Sequence, residues 1–447
     1  MVFPVRLLML FLGMVSIVTG ANITMAQAQS QGSQERPGSA QGAGSQSIGQ
    51  ASPGGSAIAI RGSSGGSSVR VVPFITISER YDSNIRLTTP KVYDYVTAIL
   101  PGARMEYRND LVEGTLTGAL RSEVYVRNPE LNFVGTSASI VANLDNAVGR
   151  MVRGFRLGLT DSMTYSPQPL AFVTPEAPET SLYYGIQVGR SNTLTNAANI
   201  QGSYAITPLA QFNASYSNQL RKFLDPPTSG NSGSLFNTAI QSFLAGPQYQ
   251  VTPNQLIGAS YQYQHFTSEP ATGGLGNVTV VHGAMVKWQA SLTRELTIDV
   301  SPGVSILDNE PEKPRYTMRG SLQWRKSETA AGLSYVRAIL PGMFISSGTL
   351  ISNVVTTSLS QGLTSEWRVS AQLSYAKNET ITNNESIGQS SLQFESFAQS
   401  CSLDYTFYPG MAASVSVSNF NFSISGTDNN RQYDRQTAMI SLRTEWN

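Results

Sequence analysis

The stretch that decides the fold covers residues 365–375 and reads Ser-Glu-Trp-Arg-Val-Ser-Ala-Gln-Leu-Ser-Tyr. From Trp367 onward every second residue is apolar or aromatic. The residues between them are polar, namely Arg368, Ser370, Gln372 and Ser374. An alternation with a period of two places these two groups on opposite faces of an extended chain. The stretch therefore predicts a β-strand with one apolar face and one polar face.

The same alternation recurs along most of the chain, for example over 209–217, 257–264, 317–324 and 438–446. About eighteen such segments occur, each roughly 12 to 15 residues long, whereas strands of soluble proteins usually run about 5 or 6 residues. A tilted strand needs about 9 to 11 residues to cross a bilayer. The length of the segments therefore favours strands that span a membrane.

The connections between these segments alternate in length. Short turns rich in Gly, Pro, Asn and Asp fall at 108–110, 147–149, 207–208, 252–254, 293–295, 327–328, 362–365 and 408–410. Longer polar loops fall at 86–93, 127–134, 166–182, 224–236, 267–277, 308–314, 339–349, 376–391 and 425–432. Brief turns at one end and long loops at the other are typical of a transmembrane barrel with an even strand number. The sequence predicts an all-β fold, a transmembrane antiparallel up-and-down barrel of about 18 strands.

The first residues have the composition of an export signal. Arg6 supplies a short basic region, residues 7–18 are almost purely apolar, and Ala26-Gln27-Ala28 fits the cleavage rule. Residues 29–69 are rich in Gln, Ser and Gly, which is typical of a flexible linker. We therefore predict a signal peptide over 1–28, a linker over 29–69 and a barrel over 70–447.

Composition excludes several classes of function. Of the 447 residues, 13% are charged and the net charge is +1, which argues against a nucleic-acid partner. The single Cys401 allows no intrachain disulfide, and the two histidines, His265 and His282, fall on the apolar face of their strands. No triad, phosphate-binding loop or metal-ligand cluster is visible in the sequence. We predict neither enzymatic activity nor a cofactor.

Aromatic residues indicate one membrane interface. The four tryptophans each lie close to a short turn or to the C-terminus, on the apolar face of their strand. Aromatic rings form girdles where a barrel meets the headgroup layer. The predicted girdle consists of Tyr107, Tyr204, Tyr249, Trp288, Trp324, Trp367, Tyr405, Phe407 and Trp446.

Charged residues fall mainly on the opposite, inward face, among many Gln, Ser, Thr and Asn residues. They are Arg104, Glu106, Arg121, Glu123, Arg156, Lys287, Asp299, Arg319, Arg325, Arg368, Asp404, Arg443 and Glu445. Such a lining predicts a hydrated interior, and barrels of about 16 to 18 strands are wide enough to leave an aqueous channel. Two interpretations stay open, because these charges either select solutes or pair with one another and stabilise the wall.

Two segments carry a family resemblance. Residues 79–87 (Glu-Arg-Tyr-Asp-Ser-Asn-Ile-Arg-Leu), residues 99–107 and the Tyr-x-Ile/Val-Thr-Pro turns resemble outer-membrane β-barrel porins of Gram-negative bacteria, a group that includes barrels associated with exopolysaccharide or capsule systems. The resemblance implies an outer-membrane location, periplasmic termini and insertion by the barrel assembly machinery. Such barrels usually end on an aromatic residue, whereas here Trp446 is followed by Asn447.

Two hypotheses about function follow. The first is a passive channel for small hydrophilic solutes, or a conduit linked to polysaccharide export. The second is a non-conducting barrel that anchors an envelope or exopolysaccharide complex.

Overall fold

The computed structural model describes residues 58–60, 67–86, 89–167, 191–224, 236–271, 276–341, 349–381, 393–425 and 431–446. The predicted signal peptide, most of the linker and parts of the long loops lie outside these residues. None of the helices in the described part of the chain has the length and apolar content that a membrane-crossing helix needs.

The described residues form one short strand and eighteen long ones of 11 to 17 residues. The strands are β1 (Ile58–Ile60), β2 (Ser68–Asp82), β3 (Asp94–Arg108), β4 (Glu113–Tyr125), β5 (Phe133–Asn143), β6 (Phe155–Ser166), β7 (Thr193–Ala205), β8 (Ala210–Phe223), β9 (Phe236–Thr252), β10 (Gln255–Pro270), β11 (Asn277–Ser291), β12 (Leu296–Leu307), β13 (Glu310–Lys326), β14 (Thr329–Pro341), β15 (Thr349–Gly362), β16 (Trp367–Ile381), β17 (Gln393–Tyr408), β18 (Met411–Ser425) and β19 (Arg431–Glu445). A helix, α1, spans Asp145–Met151, and a 3-10 turn spans Pro129–Leu131.

Strands β2 to β19 close into an antiparallel ring. Each strand pairs with the next, and β19 pairs with β2 from Thr437 opposite Asp82 to Glu445 opposite Phe74. A closed ring leaves no unpaired strand edge, which is what a membrane requires of strands. The predicted barrel, and its strand number of 18, are confirmed.

Strand β1 lies inside the segment predicted to be a linker. It pairs with residues 69–71 of β2, just beyond the point where β19 ends. Because β2 itself begins at Ser68, its first two residues also come from that segment. The short strand therefore covers part of the edge of β2 that β19 does not reach.

Two connections differ from the predictions. Residues 147–149 are not a tight turn but part of α1, in which the Asp145 carboxylate accepts a hydrogen bond from the Leu157 N–H (2.8 Å) and the Ala147 N–H donates to the Leu111 carbonyl (3.1 Å). Residues 308–314 are not a long loop, because β13 already begins at Glu310 and Arg315 donates to its carboxylate (2.7 Å). This ion pair and the resumed strand pairing explain why so polar a segment belongs to a strand.

Exposure separates the two faces of the barrel. Along β3, Tyr95, Ile99 and Met105 are 49%, 41% and 37% exposed, whereas Val96 and Ala98 are 1% and 8% exposed. Closure makes the inner face concave and crowds its side chains, while the outer face stays open. The outer face is therefore the apolar one, and it includes the odd-numbered residues 367–375 of the opening stretch.

The inner face changes character along the barrel axis. Towards the long loops it carries a buried apolar group, here called the inner apolar cluster: Phe223, Ile240, Phe266, Val281, Leu307, Ile339, Leu340, Leu350, Ile381, Phe394, Phe420, Phe422, Ile424 and Tyr433. Strands that are not neighbours come into contact here, since Thr279 Oγ1 of β11 lies 3.5 Å from Thr349 Oγ1 of β15. At the loop end the inner face therefore carries buried apolar side chains, which the predicted polar lining did not include.

Candidate functional site

The candidate site is the inner wall, which has two levels. At the end with the short turns, here called the vestibule, charged side chains are only partly buried. At the end with the long loops, the inner wall carries the inner apolar cluster, whose side chains are buried.

Charged residues of β2, β3 and β19 form a network in the vestibule. Arg104 Nε lies 3.1 Å from Glu106 Oε1, and Arg104 Nη2 lies 3.4 Å from Glu445 Oε2. Arg443 pairs with the same Glu445 carboxylate, and Arg70 Nη1 lies 3.6 Å from Glu106 Oε2. The side chains of Arg104 and Glu106 are 33% and 39% exposed, so this network has access to water.

Further predicted charges pair across or along the inner wall. Lys287 Nζ lies 2.9 Å from Asp299 Oδ2 on the neighbouring strand. Arg368 stands directly opposite Asp404 in the register of β16 and β17. Pairing of this kind supports the interpretation that many of these charges stabilise the wall.

Arg121 Nε donates to Glu123 Oε1 at 2.8 Å. Arg156, Arg319 and Arg325 also keep inward register positions. Within the described ranges, none of these three arginines has an acidic group within 4.0 Å. Arg368 and Asp404, although opposite in register, also form no ion pair within 4.0 Å among the described residues.

Sequence reasoning missed a buried ion cluster at the loop end. The Asp82 carboxylate is fully buried and accepts hydrogen bonds from Arg435 Nε at 2.8 and 3.0 Å. Arg80 lies 3.9 Å from Asp82 and 3.8 Å from Glu123. The Tyr125 hydroxyl donates to Glu123 (2.8 Å). Strand parity could have found this cluster, because Arg80 and Asp82 alternate with the outward Glu79 and Tyr81.

The ion pairs lie at both ends of the seam between the first and last barrel strands. Asp82 of β2 binds Arg435 of β19 at the loop end, and Arg104 of β3 binds Glu445 of β19 at the turn end. Among the described strands, the pairing of β2 with β19 joins the first and last strands of the ring. The two ion pairs stabilise this pairing at its two ends.

The connection between β2 and β3 folds against the inner wall. Ile85 is 4% exposed and packs with Val96 and Tyr125. The Asn84 side chain donates to the Asp434 carbonyl (3.2 Å), and Lys91 Nζ lies 2.5 Å from the Asp434 carboxylate. Part of the predicted loop 86–93 is thus held at the rim, next to the seam.

All nine residues of the predicted girdle lie on outer-face positions near the turn end. Trp367 stacks on Tyr405 with ring centroids 4.3 Å apart, and Phe407 follows at 5.8 Å from Tyr405. The Tyr107 hydroxyl accepts a hydrogen bond from the Asn109 side chain (2.7 Å). Tyr204, Tyr249, Trp288 and Trp446 are exposed. Contact of these rings with lipid stays a prediction.

A second group of outer aromatic rings, at the loop end, was not predicted. Tyr81 lies 5.4 Å from Tyr95 and 6.3 Å from Tyr93 between ring centroids, and the Arg127 guanidinium lies 4.1 Å above Tyr93. Two aromatic belts with an apolar zone between them are the pattern of a barrel in a membrane. Charged residues also occur on the outer face: Asp161 lies between Leu159 and Met163 and accepts a hydrogen bond from Asn196 (2.7 Å), and Glu79 accepts one from Thr97 (2.8 Å).

The histidines lie on the outer face, as predicted. His282 Nδ1 is 2.6 Å from the Tyr261 hydroxyl, and His282 Nε2 is 3.0 Å from Asp308 Oδ1. Both ring nitrogens of His282 therefore have partners that are not a serine nucleophile. Cys401 is a buried free thiol on the outer parity of β17. In the part of the chain that the structure describes, no group of three or more metal-binding side chains is found.

Comparison with known proteins gives structural similarity only. No family model and no curated protein matches the sequence. Among solved structures, OccAB3 of Acinetobacter baumannii is similar with a TM-score of 0.40 and 11% identity, over 84% of this chain and 99% of that one. Pseudomonas aeruginosa OpdK with vanillate gives 0.42 and 10% over 84% and 99%. The siderophore receptor PirA from A. baumannii gives 0.44 and 6% over 86% and 81%.

Similarity at this level does not establish a family. The strand pairing within this chain, not its similarity to other structures, shows the ring of 18 strands.

Proposed function

We propose that this protein is an outer-membrane channel for small hydrophilic solutes, exported by its signal peptide and inserted by the barrel assembly machinery. The observation that carries the proposal is the closed ring with an apolar outer face and a partly exposed, ion-lined vestibule. A barrel of about 16 to 18 strands is wide enough for an aqueous channel. The seam brings the start of β2 and the end of β19 to the turn end, so both termini would lie in the periplasm.

The inner apolar cluster would act as the constriction of this channel. Phe266 and Phe394 are each 1% exposed and lie on the inner parity of β10 and β17. Apolar constrictions close pores by excluding water, without a physical plug. Solutes would therefore pass when the two walls at the loop end separate, and the vestibule would concentrate them on the other side.

A second function is favoured by a different observation. The contact between Thr279 and Thr349 joins strands that are not neighbours, and it draws β11 and β15 together at the loop end. A barrel that never opens would serve as an anchor for an envelope complex, with the 29–69 linker available to a periplasmic partner. A link to polysaccharide export is compatible with either function and is proposed only on the family resemblance.

Conductance of the purified protein in a planar bilayer separates the two functions. The channel proposal expects discrete openings whose size reports the passage of small ions. A barrel that inserts fully folded and stays silent over the whole voltage range would contradict it and favour the anchoring function.

A further inference from the structure

A strip of uncharged polar residues crosses the inner wall beside the inner apolar cluster. Ser334, Thr356 and Ser374 face each other in the register of β14, β15 and β16. Two inward positions nearer the loops, beyond Val354 and Ala376, Ser352 of β15 stands opposite Asn378 of β16. All five residues are at most 4% exposed.

The strip contains polar atoms without partners. Asn378 is 0% exposed, and neither its Nδ2 nor its Oδ1 has a hydrogen-bond partner among the described residues. The hydroxyl oxygens of Ser334 and Ser374 are also buried and have no hydrogen-bond partner among the described residues. Buried polar groups are almost always paired, and each unpaired one costs stability. On this stretch of the inner wall, an amide and two hydroxyls therefore have hydrogen-bonding capacity that is free for a bound molecule.

A row of aromatic rings lies next to the strip. Phe394 pairs directly with Asn378 in the register of β16 and β17. Its ring lies 6.4 Å from Phe422 at an interplanar angle of 12°. Phe422 in turn lies 6.5 Å from Phe420 at 8° and 6.3 Å from Tyr433 at 15°. The row thus presents near-parallel apolar surfaces beside hydrogen-bonding groups.

Two cations lie on the inner wall around the strip. Arg319 of β13 stands opposite Val336, the inner residue that follows Ser334 on β14. Arg435 stands opposite Phe420, and its guanidinium is bound to the Asp82 carboxylate. The five residues of the strip itself carry no charge, so a solute would be held there by hydrogen bonds. An amide both donates and accepts, and so does a hydroxyl, which matches solutes that carry hydroxyl groups.

We propose that Asn378, Ser374 and Ser334, with the face of Phe394, form a binding site for small solutes that have several hydroxyl groups and one flat apolar face, as a saccharide ring does. The site deepens the proposed channel function and rests on it, because the walls must separate before a solute can enter. A bound solute would satisfy the amide and hydroxyl groups while its apolar face packs on the ring, which is the usual division of labour in ligand pockets.

The test is equilibrium binding of methyl glucoside to the full-length protein, refolded in a detergent without a sugar headgroup and followed by saturation-transfer NMR. The wild type should bind with measurable affinity. Asn378→Leu should weaken binding at least tenfold, while raising the thermal midpoint because a buried unpaired amide is removed. Ser374→Ala should weaken binding more modestly and serves as a second variant if the first fails to fold.

Gln372→Leu is the matched control, because Gln372 faces the same interior six residues nearer the turn end and is only half-buried. Its binding should equal that of the wild type. No binding by the folded wild type, or equal binding by Asn378→Leu, would overturn the proposed site. The binding assay does not require conductance, so the two proposals can fail separately. Binding by a barrel that does not conduct would contradict only the channel function. Channel openings without binding would contradict only the proposed site.

Discussion

At the scale of single residues, Asp82 shows how much the surroundings of a charge decide its importance. Its carboxylate is 0% exposed and bound to Arg435, whereas Glu106, also in an ion pair, is 39% exposed in the vestibule. Breaking a buried pair leaves an uncompensated charge, which costs about 3 to 5 kcal/mol, while exposed pairs contribute about 0 to 1 kcal/mol.

We therefore expect Asp82→Ala to lower the free energy of unfolding far more than Glu106→Ala does. The measurement is a urea titration of folding into lipid vesicles, with Glu106→Ala as the matched control. Similar losses in the two variants would show that the buried cluster does not hold the seam.

The two faces of the opening stretch give a second prediction at this scale. Leu373 is 40% exposed on the outer face, and Gln372 faces the interior. Leu373→Lys would place an ammonium in hydrocarbon, at a cost of about 2 to 4 kcal/mol near the midplane. Gln372→Lys should cost much less, because its amine reaches water in the vestibule. Equal losses in vesicle folding titrations, or a larger loss for Gln372→Lys, would contradict this assignment of the two faces.

At the scale of strands, the sequence predicts where the strands are but not what all their inner residues do. In β18 the apolar residues Val415 and Val417 point outward, whereas Phe420, Phe422 and Ile424 point inward. The apolar phase therefore changes sides between Val417 and Phe420. A single period-two pattern fitted to the whole strand assumes that the apolar residues stay on one face. It therefore predicts the outward Val415 and Val417 correctly but misses the inward apolar residues of the inner apolar cluster.

The missed connections have a similar cause. Residues 308–314 look like a loop because they are polar, yet β13 starts at Glu310 and pairs with β12. Local composition reports solvent exposure, and the end of a strand that extends beyond a membrane is as exposed as a loop. Pairing across strands, which fixes this boundary, depends on residues far away in the sequence.

The alternation of connections predicts the orientation of the barrel. The predicted loop 376–391 begins within β16, which runs to Ile381. Tags inserted in 225–235, between β8 and β9, or in 382–391, between β16 and β17, should be labelled on intact cells, because these connections share the loop end. A tag at Thr252–Pro253, in the short connection between β9 and β10, should be labelled only after permeabilisation. Labelling of the second tag on intact cells would reverse the orientation.

At the scale of the whole molecule, the inner charges predict a weak preference for anions. The predicted set has more basic than acidic groups, but Arg104, Arg121, Lys287 and Arg443 have acidic partners. The preference should shrink as salt rises towards 1 M, where the screening length is about 3 Å. Replacing Arg319 and Arg368 together by Gln should reduce it further. A reversal potential that shows cation preference in the unmodified protein would contradict this prediction.

The central claim is that this barrel is a channel closed at its loop end by apolar side chains, and one measurement tests it most directly. Single-channel recording in planar bilayers should compare the wild type with a Phe266→Ser, Phe394→Ser double variant, since hydroxyls at these inner positions let water enter. Phe243→Ser, on the outer face of β9, is the control. We predict that the double variant stays open longer than the wild type and the control. Identical open times in all three folded proteins would contradict the claim.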